Sequence, residues 1–98
     1  MNPATHHVVV MFDTTRESQA QALAEIGAYV DSFLSQQPGF VESVLLASNN
    51  GAQIVHHAQW ENADAFADAG VLARAHPDLP KLMAYTPNGT GYSLYQTY

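Results

Sequence analysis

The spacing of apolar positions changes several times along the chain, and each change marks a new element. Residues 7–12 form a β-branched, apolar run without a turn former, closed by Asp13-Thr14-Thr15, which predicts a strand buried on both faces. Leu23, Ile26, Val30 and Phe33 then recur at spacings of three, four and three, widened by Leu34, while Gln19, Gln21, Glu25 and Asp31 lie off that stripe. This period predicts an amphipathic helix of about five turns. Gly27 inside it weakens the helix and is expected to mark a close approach to the sheet, and Gln36-Gln37-Pro38-Gly39 supplies the stop.

Two apolar runs, residues 40–48 and 52–60, flank Asn49-Asn50-Gly51. Asn and Gly accept the positive φ of a tight turn, so the pair predicts an antiparallel hairpin. Asn62 is placed as an N-cap, with Asp64 in the first turn and Ala65, Phe66 and Ala69 as a small apolar face before Gly70 ends or bends the helix. Residues 71–85 read as a second helical piece broken near His76-Pro77 and Pro80, and residues 86–91 as a loop. In residues 92–98, Tyr92, Leu94, Gln96 and Tyr98 alternate with Ser93, Tyr95 and Thr97, the pattern of a closing strand. The order β-α-β-β-α-β is that of an α+β, ferredoxin-like sandwich, a four-stranded antiparallel sheet with both helices on one face. Residues 1–98 then make a single domain. The other sheet face is left bare, and a second copy of the chain is the simplest cover for it.

Composition narrows what such a fold can do. Three basic against nine acidic side chains give a formal net charge of -6 with the five histidines neutral. That is too few cations to neutralise a run of phosphates, so nucleic acid and anionic membrane surfaces are not expected as partners. Charged residues are 12% of the chain, about half of the roughly 25% usual in soluble domains, and some of the uncharged surface is expected to meet another subunit. The lack of cysteine excludes disulfides, a thiolate nucleophile, Cys-ligated zinc and iron–sulfur clusters. The start, Met1-Asn-Pro-Ala-Thr-His-His, has neither the basic residues nor the long apolar run of a secretory signal, and residues 8–12 are too short to span a bilayer. A soluble, cytoplasmic protein is expected.

Alternation along the third strand sets Ile54, His56, Ala58 and Trp60 on one face and Val55, His57 and Gln59 on the other. With Tyr29, Phe33, Phe66 and Met83 on the same side, His56 and Trp60 would make an aromatic-walled pocket with one titratable group, suited to a flat hydrophobic ligand. On composition alone packing is the default explanation, with Trp60 the largest core residue and His56 a neutral imidazole bonded to the backbone. The histidines do not spell a metal site. Neighbours on a strand point to opposite faces, so neither His6-His7 nor His56-His57 converges on one ion, and no carboxylate pair sits at ligand spacing. The glycines are isolated, and Asn88-Gly89-Thr90-Gly91 between a helix and a strand is the wrong setting for a phosphate cradle. No serine has the setting of a nucleophile elbow.

From Gln37-Pro38-Gly39-Phe40-Val41, through Asn50-Gly51, to His56-His57-Ala58-Gln59-Trp60-Glu61 and the aromatic Phe66, extended by His76-Pro77-Asp78-Leu79, the chain resembles the antibiotic biosynthesis monooxygenase family. The likeness extends to the length and the element order. It implies a homodimer of the dimeric α+β barrel type, joined through the open sheet face. It also implies a cofactor-independent monooxygenase that converts hydroquinone-like or anthrone-like aromatics to quinones with molecular oxygen, without metal or flavin. Such a protein has only to bind, deprotonate and orient its substrate.

Trp60 coincides with the family's pocket tryptophan, while His56 occupies an asparagine position and Phe66 a tyrosine position; Arg74 and Lys81 are candidates for a basic residue of the second helical region. His56 and Trp60 are therefore the expected catalytic residues, His56 meeting the substrate hydroxyl with an imidazole of pKa about 6.5. Phe66 and, from the periodicity, Tyr29, Phe33, His76 and Met83 are the expected substrate-binding residues. Haem, held by other members of the superfamily, is disfavoured: ten residues after Trp60 stands Gly70, His76 is offset, and the first strand has no asparagine. The exchanged polar positions keep two other readings open, a non-catalytic small-molecule-binding dimer and a non-oxidative, cofactor-free isomerase or cyclase.

Overall fold

Four strands, β1 (His6–Asp13), β2 (Phe40–Ala47), β3 (Gln53–Trp60) and β4 (Asn88–Tyr92), form one antiparallel sheet in the order β2-β3-β1-β4. Helix α1 (Gln19–Ser32) joins β1 to β2, and α2 (Ala63–Ala73) with the short α3 (Leu79–Met83) joins β3 to β4. Each crossover skips one strand, the split arrangement that the element order predicts. The computed structural model describes residues 5–98, so the part of the N-terminal reading that rests on Met1 to Ala4 lies outside the described residues. Among the described residues no helix is long and apolar enough to cross a membrane.

The sheet has one dry face. Along β3, Ile54, His56, Ala58 and Trp60 are buried under the helices, while Val55, His57 and Gln59 on the other face are half-buried. β1 follows the same rule and departs from the expected burial on both faces. Val8 and Phe12 are buried, whereas Met11 on the outer face is 39% exposed and Val9 only half-buried, because no helix covers that side; residues 92–95 lie over only the His7 end of it, where His7 is buried. At the start of β2, Gly39 has φ +85° and lies so close to α2 that a Cβ there would strike the Cβ of Ala65. Gly51, at φ +79°, turns the β2–β3 hairpin.

The helices differ from the sequence pattern in instructive ways. α1 has fourteen residues, and the last part of the expected five turns is a single 3-10 turn, Leu34–Gln36. Its buried line is Ala22, Ile26 and Tyr29, with Leu23, Val30 and Phe33 on the flanks; alanine carries too weak an apolar signal to reveal this from spacing. Gly27 does not approach the sheet, for a Cβ there would meet nothing within 4 Å. In α2 the Asn62 side-chain oxygen accepts from the Ala65 N–H at 2.8 Å, as the cap reading requires. The helix runs through Gly70 to Ala73, since one interior glycine costs only about 1 kcal/mol. Of residues 71–85, only the end of α2 and α3 are helical, and Pro80 sits in the first turn of α3, where its missing N–H is not needed.

The closing strand is displaced toward the N-terminus of its expected place. Asn88–Tyr92 pairs with β1, Tyr92 opposite His7 and Asn88 opposite Met11, and residues 93–98 form no regular structure. The glycines that suggest a loop are what this edge accommodates. Gly91 pairs with Val8, and a Cβ there would lie 2.9 Å from Cε1 of His6. A missing side chain thus makes room for the imidazole beside it.

Candidate functional site

The core divides in two along the sheet. Phe12, Ala22, Ile26, Tyr29, Ile54 and Leu82 pack at one end. Val8, Ala58, Trp60 and Ala69 pack at the other, together with Phe40, Ala65 and Phe66. Between them His56, flanked by Val10 on β1 and Leu45 on β2, faces a cavity of about 230 Å³. A cavity of about 150 Å³ suffices for benzene, so this one holds more than a single ring. The space exists because α2 turns Ala69, Gly70 and Ala73 toward it, with Ile26 and Leu34 above and Leu79, Leu82 and Pro87 at the far side.

Two side chains bring polarity to this apolar enclosure, His56 and Tyr29. His56 is 5% exposed, and its Nε2 is buried with no hydrogen-bond partner among the described residues. Burial, aided by the neighbouring His57, pushes its pKa down to about 4. The expectation of an ordinary imidazole is corrected accordingly: desolvation keeps the ring neutral throughout the neutral range. A neutral imidazole carries one N–H and one lone pair, so it can accept a hydrogen bond or a proton from a hydroxyl. Burial raises the Tyr29 pKa, which keeps that phenol protonated as a donor.

The other sequence-chosen residues take different places. Phe66 lines the cavity. Trp60 is fully buried one layer behind it, edge-on to Phe66 at 5.8 Å and to Phe40 at 5.3 Å between ring centroids, and its Nε1 also lacks a partner among the described residues. Phe33 and His76 pack tilted against each other with ring centroids 4.6 Å apart, Phe33 lies tilted against Tyr29 at 5.3 Å and His76 meets Tyr29 edge-on at 5.0 Å. They brace Tyr29 from behind, and His76 Nδ1 accepts from the Asp78 N–H at 3.0 Å. Met83 is 55% exposed and lies outside the cavity, as do the exposed Arg74 and Lys81. Leu79, Leu82 and Pro87 escape the sequence reading because α3 is too short to show a period. The run of small residues at 69, 70 and 73 was the one available sign of open space.

On the outer face of the sheet, His7 Nδ1 and His57 Nε2 lie 3.0 Å apart, with the ring centroids 5.3 Å apart and the rings tilted by 32°. They sit diagonally across the β1–β3 ladder. Neighbours in sequence diverge as alternation demands, yet partners from two strands meet, a result of register that spacing along one strand cannot reveal. Among the described residues no three metal-ligating side chains come together. Val44, Leu46, Met11 and Tyr92 stand exposed on this same face.

Known proteins share this design. The family model described as antibiotic biosynthesis monooxygenase matches residues 5–69. A mutant of SnoaB, a cofactor-independent oxygenase from Streptomyces nogalater, superposes with a TM-score of 0.79 at 25% identity over 96% of each chain. The ActVA-Orf6 monooxygenase of Streptomyces coelicolor, solved in complex with nanaomycin D, gives 0.71 at 23% identity over 98% of this chain and 92% of that one. A conserved protein from Methanosarcina mazei gives 0.73 at 10% identity over 93% of each, which shows how far the fold extends beyond sequence likeness. No curated protein matches the chain.

Proposed function

Because the chain belongs to the antibiotic biosynthesis monooxygenase family and superposes on a cofactor-independent oxygenase, we propose that it oxidises an aromatic hydroquinone-like or anthrone-like molecule with molecular oxygen in the cavity beside His56. One observation carries this reading: a neutral imidazole with an unpartnered, buried nitrogen borders a chamber that is otherwise almost wholly apolar. A flat aromatic fills such a space, and a hydroxyl on its rim has His56 as its acceptor.

His56 takes the hydroxyl proton, and the O–H bonding pair stays on the substrate oxygen. The anion and the imidazolium then face each other in a medium of low dielectric, where each stabilises the other. The electron-rich ring itself reduces dioxygen and forms the new carbon–oxygen bond. At a reacting ring CH or CH2 carbon, the imidazolium returns its proton to the peroxide oxygen, and loss of water, with the hydrogen of the remaining C–H, leaves a carbonyl, so one oxygen atom enters the product and the other leaves as water. Tyr29 donates to a second substrate oxygen, while Phe66, backed by Trp60, keeps the ring flat and water out.

Oxygen uptake by chelator-treated protein against hydroquinones, naphthols and anthrones tests this reading. Uptake is expected with at least one class, and His56→Gln, which keeps the shape but cannot hold the proton, is expected to lower kcat/KM by about 100-fold. Quenching of Trp60 fluorescence would report that the variant still binds. Equal uptake in the variant would remove His56 from the mechanism. Thermal stabilisation by these aromatics without uptake would make the chain a binding protein, and product formed under anaerobic conditions would make it an isomerase or cyclase.

The homodimer belongs to the same proposal. Met11, Val44, Leu46 and Tyr92 leave an apolar patch on the face opposite the helices, and a second sheet packed on it would bury that patch.

A further inference from the structure

Gly39 and Gly51 are fixed by their positive φ, and Gly91 by the imidazole beside it. Gly70 has no such reason. It lies inside α2 without a positive φ, its carbonyl accepts from the Arg74 N–H at 3.2 Å as in any helix, and a Cβ built on it would meet nothing within 4 Å among the described residues. A glycine in that setting weakens the helix relative to alanine and relieves no clash.

What the missing side chain leaves is space in the cavity beside His56. Phe66, Ala69, Gly70 and Ala73 all line that cavity, and their spacing of three, one and three sets them on one face of α2. A side chain at position 70 therefore projects into the cavity, with no neighbour to displace. The space it would enter is the one that the buried, unpartnered Nε2 of His56 borders. At about 230 Å³ the cavity exceeds by about half the roughly 150 Å³ that holds one benzene ring. That excess is what a second fused ring occupies.

We propose that Gly70 sets the size of the aromatic that the cavity accepts: the absent side chain admits a second fused ring, and a branched side chain in its place confines the cavity to single-ring phenols. Gly70 acts by volume alone. It offers the ligand no polar side chain, so a hydroxyl on the smaller ring still meets His56 whichever residue stands at 70. The use of this selectivity in catalysis rests on the oxygenase reading; the selectivity itself rests on the cavity.

Graded filling tests it. Gly70→Ala and Gly70→Val add bulk at one point, and both residues suit a helix better than glycine, so thermal unfolding is expected at no lower a temperature than in the parent. The probes are phenol and 1-naphthol, titrated by calorimetry, with phenol as the internal reference for an intact pocket. The Kd of 1-naphthol is expected to rise at least tenfold in Gly70→Val and by less in Gly70→Ala, while that of phenol holds or falls. Unchanged 1-naphthol binding in a folded Gly70→Val, or in Gly70→Ala should the valine disturb the fold, would overturn the assignment. Equal weakening of both probes would also overturn it, by making Gly70 a requirement of the pocket as a whole, and a parent that binds neither would remove the ligand cavity itself. The second arm is oxygen uptake, in which kcat/KM for a naphthalenediol is expected to fall relative to that for hydroquinone in Gly70→Val. A parent that consumes no oxygen but shows the size-dependent loss of binding would sink the oxygenase reading and leave the role of Gly70 standing.

Discussion

At His56, the burial that makes the imidazole a neutral acceptor also ties folding to pH. The folded protein holds this group near pKa 4, and an unfolded chain returns it to about 6.5. Between those values the unfolded state binds a proton that the folded state refuses, so stability is full above the unfolded value and falls as pH drops through the window toward 4. The total is about 3 kcal/mol. Urea unfolding of the parent at a series of pH values is expected to show this loss, and His56→Gln is expected to lack that part of it; identical pH slopes would mean that the ring is not desolvated. The same shift predicts an acid limb of kcat/KM near 4 in place of one at 6 to 7, which a pH–rate profile reads directly. Alternation along β3 was enough to tell which of His56 and His57 is dry. The size of the shift was not legible, because it depends on how α1 and α2 close over the strand.

Turns and caps were the most legible elements, since their chemistry is local. Asn62 fills its role by a single hydrogen bond, and Asn62→Ala is expected to cost about 1 kcal/mol in chemical denaturation. Gly39 has two reasons to be glycine, a left-handed φ of +85° and the Ala65 methyl in the way of any Cβ. Gly39→Ala is therefore expected to cost more than about 1 kcal/mol, and a neutral result would show that β2 and α2 do not meet as described. Elements fixed by register were harder to see. β4 reads as a loop because Gly89 and Gly91 have low strand propensity, yet both pair with β1, and Gly91 leaves the room that the His6 ring occupies. His7 and His57 meet for the same reason, across strands whose offset no single segment encodes. The cavity was half legible: His56, Phe66 and Tyr29 could be placed by period, whereas its far wall comes from α3 and its space from residues with almost no side chain.

Over the whole molecule, the sheet separates two functions. Its helix side holds the cavity beside His56, and its outer side carries the apolar patch that the proposed dimer would bury. Leu46→Lys places a charge in that patch away from the cavity. Light scattering at micromolar concentration is expected to give twice the chain mass for the parent and a shift toward the single mass for the variant, with the far-UV spectrum unchanged; a monomeric parent would contradict the sheet-face dimer. That no helix covers this face was legible from element order, whereas the partial cover that residues 92–95 give its His7 end was not. The central claim is that the cavity beside His56 lets an aromatic substrate take one oxygen atom from dioxygen. The most direct test is mass spectrometry of the product formed by chelator-treated protein under isotopically heavy dioxygen in ordinary water. One heavy oxygen per product molecule, in the newly formed carbonyl and with incorporation slowed in His56→Gln, is the predicted result; product whose new oxygen comes only from water would contradict it.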